Sequence, residues 1–274
     1  MTAPGSIVRT FTLIRGDSPV VISLPHVGTQ LPEELRPRLT EAARALPDTD
    51  WHVDQLYDFA FESGYTVLRA LHARYLIDLN RPPDDAPLYP GSNTSGLCPT
   101  LDFSGAPLWR TGPSPVPPDE VRHRLSRYWE PYHAELAARI EAARARHGFA
   151  LLIDGHSIRS RVPRLFAGRL PDINLGTADG TACATALRTR ARLLGGVIED
   201  LRERDRQGDT DDGHGAAGAG KNRFGVKRLR RFDESGSRKR AASGWPEIGL
   251  SACPQNLWIS MWESWVNRAQ TCAT

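Results

Sequence analysis

Three apolar runs in this 274-residue chain each end in side chains that could do chemistry. Residues 19–24 (PVVISL) stop at Pro25-His26-Val27-Gly28. Residues 75–79 (YLIDL) carry Asp78 and run into Asn80-Arg81-Pro82-Pro83, and residues 150–153 (ALLI) lead into Asp154-Gly155-His156-Ser157. Short apolar runs of this kind, broken by Pro or Gly, read as buried strands feeding loops. In open α/β sheets the ligand site lies beyond the carboxyl ends of the strands, so these groups can converge although they are far apart in sequence. Two imidazoles and a carboxylate suit zinc, whose catalytic sites take three protein ligands and leave a position for water. A lone histidine after a strand is more often a loop residue bonded to backbone; the joint occurrence of two such motifs brings a metal site level with that reading, and spacing alone leaves both open.

The third ligand is sought in Asp50-Trp51-His52-Val53-Asp54, where the two aspartates lie one helical turn apart. Asp50 has two other uses, completing the helix start or fixing a ligand imidazole from behind. Arg81 follows an apolar run and precedes two prolines, which stiffen its position, and a guanidinium so held can grip a carboxylate by two parallel bonds. Its bland use is an ion pair with Asp84 or Asp85. Arg159, Arg161 and Arg164 follow His156 closely, a surplus of positive charge that a substrate with two carboxylates would need. His52, His72, His123, His133 and His147 fall on expected helices or their edges and are read as structural or exposed.

The elements that must position these groups follow from periodicity and punctuation. Residues 32–45 read as a helix with an acidic start, and Asp48-Thr49-Asp50 offers caps for a second helix through Gly64. Residues 81–118, rich in Pro, Gly, Ser and Asp, predict a long ordered loop near the site. Residues 118–147 predict a long amphipathic helix with Val121, Leu125, Tyr128, Trp129, Leu136 and Ile140 at spacings near three and four. Alternating strands and helices imply an α/β fold, with a mainly parallel or mixed sheet and helices on both faces.

Composition bounds the class. Hydrophobic residues at 40% and charged residues at 24% are ordinary for a globular chain and leave room for a core. No apolar run reaches the roughly 18 residues of a membrane span, and residues 1–15 lack a signal-peptide stretch, so no membrane partner and a cytoplasmic location are expected. Cys98, Cys183, Cys253 and Cys272 are widely spaced and read as reduced thiols. The formal charge of +3 hides an uneven distribution. All three lysines (Lys221, Lys227, Lys239) and four of the seven tryptophans (Trp245, Trp258, Trp262, Trp265) lie beyond residue 196. Residues 205–220 are mostly Gly, Asp and Ala, and residues 221–240 are densely basic, a composition that does not bury a core. The expectation is a catalytic domain at 1–196 followed by an anomalous segment, 197–274, that is disordered or frame-shifted. A basic run without aromatic interleaving is weak ground for nucleic-acid binding, which is not expected.

SLPHVGTQL, ALPDTDWHVDQLYDFA, YLIDLNRPPDDAPLY, the Trp-x-Pro-Tyr-His of residues 129–133, and LLIDGHSIRSRVPRLFAGRLPDINLGTADGTAC together resemble the N-formylglutamate deformylase (N-formylglutamate amidohydrolase) family, in order from about residue 19 to 183. The resemblance implies hydrolysis of N-formyl-L-glutamate to formate and L-glutamate in histidine degradation, and a fold like that of zinc carboxypeptidases and aspartoacylases; the alternatives are a metal-dependent hydrolase of another N-acyl amino acid or peptide, and an inactive chain with a basic nucleic-acid-binding tail. The same resemblance implies a divalent metal, zinc by preference, on His26, His156 and an aspartate, Asp54 preferred and Asp50 the alternative. Asn80, Arg81, Ser157, Arg159 and Arg164 form the expected substrate-binding set. The Gln-Leu-Glu strand end that would supply a general base has no counterpart here, so the catalytic base is unassigned and slow turnover or none is expected. The sequence leaves the oligomeric state open.

Overall fold

The computed structural model describes residues 9–86, 95–112, 116–177, 182, 184–187, 189, 191 and 255–261. Its frame is a mixed six-stranded sheet: β1 (Phe11–Ile14), β2 (Val20–Leu24), β3 (Thr66–Ala70), β4 (Leu151–Arg159), β5 (Ile173–Gly176) and β6 (Gln255–Met261), in the order β1-β3-β2-β4-β6-β5. β2 runs parallel to both β3 and β4 at the centre, β1 and β6 are antiparallel to their inner neighbours, and β5 is parallel to β6.

Strand alternation sends successive residues of β2 to opposite layers. Val21 packs against Ile140 and Ala143 of the long helix, and Ser23 meets Tyr132 Oη at 3.0 Å on that same side. Ile22 and Leu24 pack on the other side against Val53, Tyr57 and Ala60. Helices therefore cover both faces, as the sequence predicts.

The helices are more broken than periodicity alone suggests. Residues 32–45 give a 3₁₀ turn, Arg36–Arg38, and then α1 (Glu41–Arg44), whose Ala43 N–H is capped by Thr40 Oγ1. The helix expected through residue 64 divides into α2 (Val53–Leu56) and α3 (Phe59–Glu62), and His52 before α2 adopts φ 65°. The long helix forms as α4 (Pro118–Arg124), a π turn (Leu125–Trp129) and α5 (Glu130–His147). Pro131 lacks the N–H that residue 127 would accept, which favours the local switch to the wider turn.

Two strand expectations need correction. Residues 75–79 are not a strand. They form a buried irregular segment in which Asp78 N–H bonds Leu97 O at 2.7 Å, while side chains of Arg124 and His133 take the carbonyls of Leu76 and Leu79. The parallel partner of β2 at this edge is β3. β4 in turn does not stop at Ile153 but continues through His156 to Arg159, because β6 pairs with residues 153–159. β6 lies within 197–274, the segment expected to be disordered or frame-shifted; the rest of that segment, 197–254 with its basic run and 262–274, lies outside the described residues. Among the described residues no helix is long and apolar enough to cross a membrane.

Candidate functional site

His26 stands two residues past the end of β2, where the chain passes so close to the backbone of Leu71 and His72 that a Cβ on Gly28 would collide with it. That approach is why the motif is Pro-His-x-Gly. His156 lies inside β4, one residue after Gly155, where a Cβ would come within 2.6 Å of Leu24 and 2.8 Å of Tyr57. Asp50 is delivered from the second layer, its N–H bonded to His26 O at 3.0 Å.

These three residues converge. A nitrogen of each histidine and an oxygen of Asp50 all lie within 4.8 Å of one another, and all three residues are buried. Asp50 Oδ2 is 3.0 Å from His156 Nδ1 and 3.8 Å from His26 Nδ1, and the imidazole centroids are 4.7 Å apart. Each ring is tied from behind by its other nitrogen, His26 Nε2 to Asp78 Oδ1 at 2.7 Å and His156 Nε2 to Asp154 Oδ2 at 2.9 Å. Such outer carboxylates fix the tautomer and aim of metal-ligating histidines. The donor set, two Nδ1 atoms and one carboxylate oxygen backed in this way, fits a divalent cation.

The electrostatics agree with that geometry. Burial, and then the Arg74 guanidinium, lower the His26 pKa, so the ring is neutral with Nε2–H donating to Asp78. Burial would raise Asp78, but Arg74 and His26 outweigh it and hold the carboxyl well below its usual range. For His156, burial opposes protonation, yet Asp154 and Asp50 prevail and push the pKa up to about 10. A cation bound at His156 Nδ1 would displace a proton from that nitrogen.

Residues 18–198 match the profile of the N-formylglutamate amidohydrolase family. The chain is 51% identical over 185 residues to an N-formylglutamate deformylase of Pseudomonas aeruginosa, covering 68% of this chain and 69% of that one. It is 48% identical over 182 residues to an N-formylglutamate deformylase of Pseudomonas putida, covering 66% and 67%. The crystal structure of an N-formylglutamate amidohydrolase from Ralstonia eutropha superposes with a TM-score of 0.56 at 28% identity, over 72% of this chain and 75% of that one. The chain belongs to the N-formylglutamate amidohydrolase family.

Within this amidohydrolase the remaining predicted site residues are distributed unevenly. Asp54, the preferred carboxylate, is turned instead to the Arg69 guanidinium of β3, and its place beside the imidazoles is taken by Asp50. The physical reason is that α2 begins only at Val53, so Asp50 and Asp54 do not share a helical face. Asn80 joins the site, its Nδ2 3.1 Å from His156 Nε2. Arg81 is held by Ser95 O at 2.6 Å, its neighbour's carbonyl at 2.7 Å and Ser95 Oγ at 2.9 Å. Asp84 and Asp85, its bland alternatives, are engaged with the backbone of Ala86 and Leu97. Arg159 approaches Asp48 at 3.5 Å and Arg164 donates to Asp102 O at 3.3 Å. Ser157 is buried one residue beyond His156, and strand alternation turns it to the opposite face.

A further residue, which motif reading passes over, stands behind the His26 imidazole. Arg74 is 6% exposed, donates to Asp78 Oδ2 at 2.5 Å, lies 3.4 Å from His26 Nδ1 and stacks on Phe103 at 4.6 Å. Its signal was available: an arginine in an apolar stretch with an aspartate four residues on.

Proposed function

We propose that this chain hydrolyses N-formyl-L-glutamate to formate and L-glutamate, with a divalent cation, zinc by preference, held by His26, Asp50 and His156. The observation that carries the reading is the buried cluster of three donor atoms within 4.8 Å, each imidazole backed by its own carboxylate. The names of the Pseudomonas relatives supply the substrate. When bound, such a cation polarises the formyl carbonyl and brings the pKa of a water to about 7.

The protein's own part is orientation. Asp78 and Asp154 fix the two imidazoles, and Asn80 flanks His156. Arg81, locked by Ser95 and the Asn80 carbonyl, presents a preorganised guanidinium to a substrate carboxylate, which shortens the search for a reactive pose. Arg159 and Arg164 supply further positive charge for the second carboxylate. The general base is unassigned, and turnover below the ~1–10³ per second of ordinary enzymes is expected. In this reading the catalytic equipment lies within residues 1–196 and has a fold of the zinc-carboxypeptidase and aspartoacylase type. The protein works in the cytoplasm on a small-molecule substrate, in histidine degradation.

Formate release from N-formyl-L-glutamate by purified protein, with zinc and again after chelation, tests the proposal. Metal-dependent release supports it. No release above the uncatalysed rate, or release untouched by chelation and by His156→Ala, refutes it.

A further inference from the structure

The segment 76–81 carries Asp78, Asn80 and Arg81; it is buried through Leu79, half-buried at Asn80 and Arg81, and outside the sheet, so its carbonyls have no ladder partners. Buried backbone carbonyls must find donors. Here three of them are met from one helix: Arg124 Nη1 donates to Leu76 O at 2.6 Å, His133 Nε2 to Leu79 O at 2.9 Å and Trp129 Nε1 to Arg81 O at 3.0 Å. A carbonyl only accepts, so the His133 proton sits on Nε2.

The spacing of the three donors is what the π turn explains. Residues 124 and 129 are five apart, which in an α-helix leaves them about 140° apart around the axis. A turn closed on residue i+5, as Glu130 N–H closes on Leu125 O, brings such a pair back toward one face. Trp129 and His133 are then four apart on α-helical geometry, with their rings in contact at 3.9 Å between centroids and tilted by 36°. All three side chains are thereby directed at the same strip of backbone.

We infer that Trp129 and His133, aligned by the π turn, are positioning residues for the reaction: they hold the backbone of 79–81 so that Asn80 stays beside His156 and the Arg81 guanidinium stays aimed at the substrate. This deepens the proposed function and rests on it for the substrate's identity. The two bonds divide the work. Trp129 holds the carbonyl of Arg81 itself, whereas His133 holds that of Leu79, between Asp78 and Asn80.

The test compares wild type with Trp129→Phe, His133→Phe and His133→Gln, the last of which keeps an N–H donor. Steady-state kinetics with N-formyl-L-glutamate are read beside amide hydrogen exchange across 76–82, which contains the N–H groups of Asp78, Asn80 and Arg81. Trp129→Phe should raise KM about tenfold with kcat within about threefold, and His133→Phe should lower kcat/KM about tenfold, largely recovered in His133→Gln. Exchange across 76–82 should quicken in both Phe variants while peptides of β2 and β3 stay unchanged. Unchanged KM in Trp129→Phe, equal loss in His133→Phe and His133→Gln, or acceleration spread evenly over the sheet overturns the inference. If wild type releases no formate, the proposed function fails instead. The exchange comparison still decides the clamp: acceleration confined to 76–82 upholds it and its absence overturns it.

Discussion

Arg74 and Asp78 form a buried ion pair, Nη2 to Oδ2 at 2.5 Å, directly behind the imidazole of His26. Asp78 is fully enclosed and accepts at once from Arg74, His26, Ser95 Oγ and the Asn80 N–H. Removing the guanidinium leaves an uncompensated buried carboxylate, a loss of about 3–5 kcal/mol. Arg74→Met should therefore lower the urea midpoint of the metal-free protein sharply. Asp78→Asn keeps the shape but loses the charged acceptor behind His26, and should weaken zinc binding by ~10–100-fold in a competition titration. Wild-type zinc affinity in Asp78→Asn would show that the aspartate serves folding alone.

The two aspartates of Asp50-Trp51-His52-Val53-Asp54 should separate cleanly on substitution. Asp50 is 1% exposed beside both imidazoles, whereas Asp54 pairs with Arg69 in a partly exposed setting. Asp50→Asn should leave purified protein with less than stoichiometric zinc. Asp54→Asn should bind zinc as wild type does and lose only about 0–1 kcal/mol of stability. Metal analysis after gel filtration decides between them, and full zinc in Asp50→Asn together with loss in Asp54→Asn would restore the assignment that sequence alone prefers.

Arg81→Lys should raise KM about tenfold or more with little change in kcat. Lysine keeps the charge, but a single ammonium cannot bond Ser95 O, Ser95 Oγ and the Asn80 carbonyl together while also meeting a carboxylate as a fork. Initial-rate measurements over a range of N-formyl-L-glutamate concentrations give both constants. A kcat that falls at constant KM would place Arg81 in the chemical step rather than in substrate binding.

Chemistry concentrated at punctuation was legible in the sequence: His26 and His156 stand beside Pro or Gly after apolar runs, and backbone crowding at Gly28 and side-chain crowding at Gly155 account for those glycines. What depended on tertiary contact was not. Residues 75–79 are apolar because they are buried, and burial alone does not distinguish a strand from an irregular segment whose carbonyls are satisfied by Arg124, His133 and Trp129. Asp50 and Asp54 look equivalent only while one continuous helix is assumed, and the left-handed His52 breaks it. β6 escaped notice because its surroundings, not residues 255–261 themselves, set the composition of the last part of the chain.

Acid should destabilise the protein in a way that His133 makes measurable. Burial pushes its pKa down to about 4, against the opposing pull of the Leu79 carbonyl and Asp154, whereas in the unfolded chain it titrates near 6.5. Between those values the unfolded chain binds a proton that the folded chain refuses. Unfolding is therefore favoured as pH falls from about 6.5, and the contribution is exhausted near pH 4, after a loss of up to about 3 kcal/mol. His72, also lowered by burial, adds a loss of the same sign. Asp78, held well below its usual range, adds its own loss only at lower pH, below about 3.8. His133→Gln removes one titrating group while keeping a donor for Leu79 O. The pH slope of its unfolding free energy between pH 4 and 6.5 should be shallower than that of wild type by up to about 1.4 kcal/mol per pH unit. Urea titrations of both proteins, metal-free, at several pH values across that window give the slopes directly, and identical slopes would mean that His133 is protonated in the folded state as readily as in the unfolded chain.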